Sequence, residues 1–263
     1  RTRIRYPGQE APGKDQIAEA LRWVDTRLDD LPYLRALPSE ESSVSSPLCL
    51  LVADESRQRN TDERMLFRTR GPLPHWSLVR LGPGLLASSP EHLLLHMARY
   101  LSDLELIWFA CTLCAVYSIH PSLRNAGRLL PARPLTTVGQ ILSYLEHAHD
   151  QGARWARKAL TAVRHAIDGA ASPKEIECAL LMTLPRSMGG YALPKPVLNT
   201  GIDVDHRLAP TWRWESLSTD ALWAEQRLAL EYDSDSLHMD PRQRAKDNAK
   251  RNALEAMGYR VLP

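Results

Sequence analysis

Apolar and polar positions follow two different periods along the chain, and they separate helices from strands. In "KDQIAEALRWVDTRLDDL", Ile17, Leu21, Val24 and Leu28 recur at helical spacing and predict an amphipathic helix. The compact apolar run in "PLCLLVADES" (47–56) predicts a strand. "MLFRTR" and "SLVRLGPGLLAS" predict further strands, the latter broken at Gly-Pro-Gly. In "SSPEHLLLHMARYL", Ser89 is placed to cap a helix and Pro90 to open it, with helix continuing to about Ser118. "NAGRLLPARP" reads as a loop. "LTTVGQILSYLEHAHDQGARWARKALTAVRHAIDG" reads as two helices broken near Gln151-Gly152.

The small-residue stretch Gly169–Ser172 predicts a domain boundary. It divides the chain into an α+β region (1–170), mostly helical with a small sheet, and a C-terminal domain (171–263). The second part opens with "SPKEIECALLMTL", a helix with Ser172 as cap, Pro173 in the first turn and Glu175 at the third position. "GIDVDHRL" predicts a strand and "TDALWAEQRLALEYD" a hairpin. "DPRQRAKDNAKRNALEAMG" predicts a helix capped by Asp240 and stopped at Gly258, and "YRVLP" a last strand.

Composition narrows the class. With 263 residues, 44% hydrophobic and 24% charged, the chain has the balance of a globular protein with a buried core. A net charge of +2 provides no global footprint for nucleic acid, so any such surface is local. No secretory signal is visible. The longest apolar run, "LELIWFACTLCAVYSI", contains Glu105 and is short for a membrane span, so a cytoplasmic protein with no membrane partner is expected. The chain begins at Arg1 and ends directly after an apolar run, which reads as a piece of a longer product. Cys111 and Cys114 form a C-x-x-C inside an apolar helical run, without a second pair at zinc spacing, and are expected to be core thiols. P-loop, dinucleotide and nucleophile-elbow motifs are absent.

Acids in the hairpin carry the chemistry. In "RLALEYD", strand alternation puts Leu228, Leu230 and Tyr232 on one face and Ala229, Glu231 and Asp233 on the other. A turn centred on Glu225-Gln226, with two or four residues, places Asp220 opposite Glu231; an odd-length loop breaks that register. Three carboxylates then crowd one patch, and a hard cation with oxygen ligands relieves their repulsion. The alternative is a solvated sheet face.

"DALWAEQRLALEYDSDSLH" followed by "DNAKRNALEAMGYRVL" resembles the very-short-patch-repair-like branch of the PD-(D/E)XK nuclease superfamily. The resemblance covers roughly residues 172–263, and its helix–three strands–helix–strand order agrees. It implies an αβββαβ restriction-endonuclease-like core, incomplete at its C-terminus, and Mg²⁺- or Mn²⁺-dependent hydrolysis of DNA in a bacterial cytoplasm. By that resemblance Asp220 matches the central metal-binding Asp and Glu231 the Glu of (D/E)-x-K. Glu175 resembles the acid that the first helix contributes. Asp233 stands where the motif has Lys; His238 or Lys246 is then expected to replace it. The catalytic set is Asp220, Glu231, Asp233 and His238, and the metal set Asp220, Glu231 and Glu175. The upstream part loosely resembles abortive-infection antitoxin-type regulators. The alternative function is therefore an inactive nuclease fold serving as a DNA-binding, antitoxin-like regulator.

Four further features have two readings each. Glu175 also completes a capping box with Ser172. Arg242, Arg244 and Lys246 concentrate charge on one helix, either to hold phosphates or as a solvated face with intrahelical pairs. Trp212 and Trp214 flank an Arg and are expected to pack rather than to stack on bases. His92 and His96 lie four apart after Glu91, but without the H-E-x-x-H order of a metalloprotease.

Overall fold

The computed structural model describes residues 48–52, 64–68, 73–82, 85–119, 129–210, 212–213, 215–231 and 241–262. Helices and strands are mixed along the chain. Two compact units emerge. One holds the described residues up to Leu106 together with Gly139–Ala162. The other holds Ile107–Ile119, Leu129–Val138 and the described residues from Val163 onward. The expected N-terminal amphipathic helix lies outside the described residues.

In the first unit, β1 (Leu48–Val52) and β2 (Arg64–Arg68) pair in parallel, and β3 (Leu78–Gly82) and β4 (Leu85–Ser88) pair antiparallel. Helix α1 (Pro90–Met97) starts as the sequence predicts. The Ser89 hydroxyl accepts from the His92 N–H, and Pro90 fills a position whose own N–H would be an orphan. Helix α2 (Asp103–Leu113) ends earlier than the apolar pattern suggests. In the second unit, residues Tyr117–Ile119 (β5) and Leu129–Pro131 (β6) pair instead as a small antiparallel sheet. Apolar runs of this kind do not by themselves distinguish a buried helix from a strand. Helices α3 (Val138–Asp150) and α4 (Ala156–Val163) are separated at Gly152, which takes a left-handed φ of 75°. Among the described residues no helix is long and apolar enough to cross a membrane.

The Gly169–Ser172 stretch lies within the second unit. The Gly169 N–H donates to the Cys114 carbonyl, and the Val116 N–H donates to that of Ala170. The small residues that read as a linker let the chain pass close to the end of α2. Cys111 and Cys114 are buried in the second unit, and the Cys111 sulfur accepts from the Ile167 N–H. Burial pushes the Cys111 thiol up to about 11, so it is an inert packing group.

The second unit then runs α5 (Pro173–Thr183), β7 (Val197–Asp203), β8 (Ser216–Trp223), β9 (Leu228–Leu230), α6 (Pro241–Ala256) and β10 (Arg260–Leu262). The four strands form one sheet in the order β10-β9-β8-β7. The first three in sequence are an antiparallel meander, and β10 is parallel to β9. A parallel neighbour needs a crossover, and α6 supplies it. The helix ends where Gly258 takes a φ of 84°; the Tyr259 N–H returns to the Leu254 carbonyl, and Arg260 enters the sheet by donating to Arg227. Leu222, Ala229, Ala253, Leu254 and Met257 are buried in one cluster, with Val261 packed against it. Trp212 is buried in the same cluster, as expected of a packing residue; Trp214 lies outside the described residues.

Candidate functional site

The hairpin between β8 and β9 sets the site. Its loop is Ala224–Arg227, four residues long, closed by the Arg227 N–H on the Ala224 carbonyl. The pairs are Ala221 with Leu230, Leu222 with Ala229 and Trp223 with Leu228. One step further along the same register, Asp220 stands opposite Glu231, as the even-length turn requires. On the other side of β8, Leu198 faces Ala221 and Thr200 faces Thr219. Asn199 therefore occupies the position opposite Asp220, and three polar residues form a row across the sheet. Asn199 has a left-handed φ of 47°, a region Asn tolerates better than most residues.

Helix α6 completes the patch. Lys250, Ala253, Leu254 and Met257 recur at helical spacing. The last three enter the apolar cluster, so Lys250 comes down beside the end of β9. Its Nζ lies 2.5 Å from Glu231 Oε2, and both side chains are about three-quarters buried. Burial pushes the Glu231 carboxyl above its usual range. The Lys250 hydrogen bond and charge oppose that shift, while Asp220 and Asp247 add to it. The second oxygen, Oε1, is buried without a hydrogen-bond partner. A buried acceptor left in this state is costly, and a cation or its coordinated water would satisfy it.

Mg²⁺ is commonly held through one or two carboxylates and keeps several waters, so Asp220 and Glu231 are the residues here that could hold such an ion. Among the described residues, no group of three or more His, Cys, Asp or Glu is arranged to hold a metal ion. Asp233 and His238 lie outside the described residues.

Glu175 is differently employed. Its backbone N–H donates to the Ser172 hydroxyl, while its carboxylate accepts from the Ala171 N–H and the Ser172 hydroxyl. The same carboxylate takes the Asn199 amide at 2.5 Å. The Ser172 cap forms, while the Glu175 carboxylate reaches back to the Ala171 N–H and the Ser172 hydroxyl rather than to the Ser172 N–H expected of a capping box. Its carboxylate reaches the polar row through Asn199, which also donates to the Gly169 carbonyl.

Lys246 is exposed, one helical turn before Lys250. Arg242 and Arg244 lie on the first turn of α6, with side chains outside the described residues. The residue that sequence reasoning undervalued is Lys250. It was legible as part of the basic helix, and its four-residue spacing from Leu254 places it on the buried side. No family model, curated protein or solved structure matches this chain.

Proposed function

We propose that the chain is a metal-dependent nuclease-like protein that hydrolyses DNA phosphodiesters at Asp220 and Glu231. The observation that carries this reading is the β8–β9 register, which brings those two acids opposite each other at the end of β9, beside a largely buried lysine and an orphaned carboxylate oxygen. The α5–β7–β8–β9–α6–β10 order, with β10 parallel to β9, supports a PD-(D/E)XK-type core.

Asp220 and Glu231 would hold Mg²⁺ or Mn²⁺. When bound, such an ion polarises a phosphate and lowers the pKa of its water. Lys250 takes the place of the motif lysine: it fixes the Glu231 carboxylate and keeps a positive charge where a phosphate under attack gathers negative charge. Lys246, one turn outward, contacts the DNA backbone, with Arg242 and Arg244 extending that contact. Such contacts position DNA without reading its sequence. A bacterial, cytoplasmic setting accompanies this reading.

One observation favours a second reading, an inactive nuclease fold that binds DNA as an antitoxin-like regulator. Lys250 already neutralises one Glu231 oxygen, so the patch does not need a metal to offset its charge. Plasmid and single-stranded DNA incubated with Mg²⁺ or Mn²⁺ separate the two. Cleavage lost in Asp220→Ala supports the nuclease; DNA binding without cleavage supports the regulator.

A further inference from the structure

A second polar cluster lies in the first unit and shares no residue with the Asp220–Glu231 patch. The Ser77 hydroxyl donates to the Pro74 carbonyl at 2.5 Å. It also lies 3.0 Å from the Tyr144 hydroxyl, which in turn lies 2.7 Å from His92 Nδ1. Three contacts need three hydrogens, and the carbonyl has none. Ser77 must therefore spend its proton on Pro74, Tyr144 must donate to Ser77, and His92 must donate from Nδ1 to Tyr144. This count fixes the His92 tautomer and leaves Nε2 as a bare lone pair.

That nitrogen is buried and has no hydrogen-bond partner, although His92 is only 3% exposed. An unsatisfied buried acceptor is costly. A neutral imidazole with its Nδ1–H held by an oxygen and Nε2 free is also the arrangement that ligates metals. The next turn of α1 brings His96, whose ring centroid is 4.5 Å from that of His92. His96 is partly exposed. Burial lowers the pKa of both rings, that of His92 to about 3.

We propose that His92 and His96 form a two-imidazole site for a borderline transition-metal ion such as Zn²⁺, with Tyr144 and Ser77 setting the ligand tautomer. Two nitrogen donors, with water in the remaining positions, select Zn²⁺, Co²⁺ or Ni²⁺ over Mg²⁺. The site is independent of the Asp220–Glu231 patch and does not require nuclease activity.

Titration calorimetry with Zn²⁺ on the full chain tests this, alongside His96→Gln and Tyr144→Phe. Both variants are run in an Asp220→Ala background to remove the acidic patch. Zn²⁺ is expected to bind once, His96→Gln to weaken it more than about tenfold, and Tyr144→Phe by about 10–100-fold. Long-range ¹H–¹⁵N spectra of the wild type read the same site without depending on a variant's folding. One histidine should show the Nδ1–H tautomer, with its Nε2 signal shifting on Zn²⁺ addition. No Zn²⁺ binding, binding unchanged in His96→Gln, or an Nε2–H tautomer at His92 would each overturn the proposal.

Discussion

Lys250 Nζ lies 2.5 Å from Glu231 Oε2, joining helix α6 to the end of β9. A lysine stem covers apolar surface while its head seeks a partner, and Glu231 is that partner. The pair is partly desolvated, so its members depend on each other more than exposed ions do.

Lys250→Met is expected to destabilise the metal-free protein by about 2 kcal/mol, between the values for exposed and buried pairs. Adding Glu231→Gln should recover much of that loss, because no buried charge is then left alone. Chemical denaturation of the two single variants and the double variant measures the coupling; additive effects would mean that the pair contributes nothing.

The register makes a second prediction. Asp220 helps to raise the Glu231 pKa. Asp220→Asn should therefore lower it, as followed by carboxyl NMR, and should leave the metal-free fold equally or more stable. An unmoved Glu231 would place the two carboxylates apart.

Much of this corner was legible in the sequence. Period-two alternation put Glu231 on the face of Ala229, and an even turn was enough to bring Asp220 opposite. The capping signals at Ser89 and Ser172 were equally local, and both caps form. Four other features needed tertiary information. The strand at Tyr117–Ile119 continues an apolar run already committed to helix, and its pairing with Leu129–Pro131 depends on a distant segment. The hydrogen bonds that tie Gly169 and Ala170 to Cys114 and Val116 join segments distant in sequence, which no linker-like composition announces. The choice of Lys250 over Lys246 depends on which side of α6 meets the sheet. The proton count at His92 required three side chains that are far apart in sequence.

Ser172→Ala is expected to cost about 1 kcal/mol, the usual value for a lost helix cap. The loss should come without a change in Mg²⁺ affinity, because Glu175 serves the cap and Asn199. Thermal unfolding and calorimetry on the same sample check both halves; a loss of Mg²⁺ binding would return Glu175 to the metal set.

Acid should weaken the first unit. His92 has a folded-state pKa lowered to about 3 from an ordinary 6.5, and that of His96 is lowered as well. The unfolded chain then binds more protons between those values, so stability is present above pH 6.5 and is lost as pH falls toward 3. The His92 contribution is about 1.4 kcal/mol per unit through that window. Denaturation curves collected between pH 7 and pH 4.5 should show this slope, and His92→Gln should flatten it. An unchanged slope would place the acid sensitivity elsewhere.

The central claim is that Asp220 and Glu231 form one divalent-metal site for phosphodiester hydrolysis. Its most direct test is Mn²⁺-dependent cleavage of plasmid DNA by the wild type, Asp220→Ala and Glu231→Ala, with Mn²⁺ affinity measured on the same preparations. The account predicts cleavage by the wild type, with cleavage abolished and Mn²⁺ affinity reduced in both variants. Wild-type protein that neither binds Mn²⁺ nor cleaves, or variants that bind and cleave as well as the wild type, would contradict it.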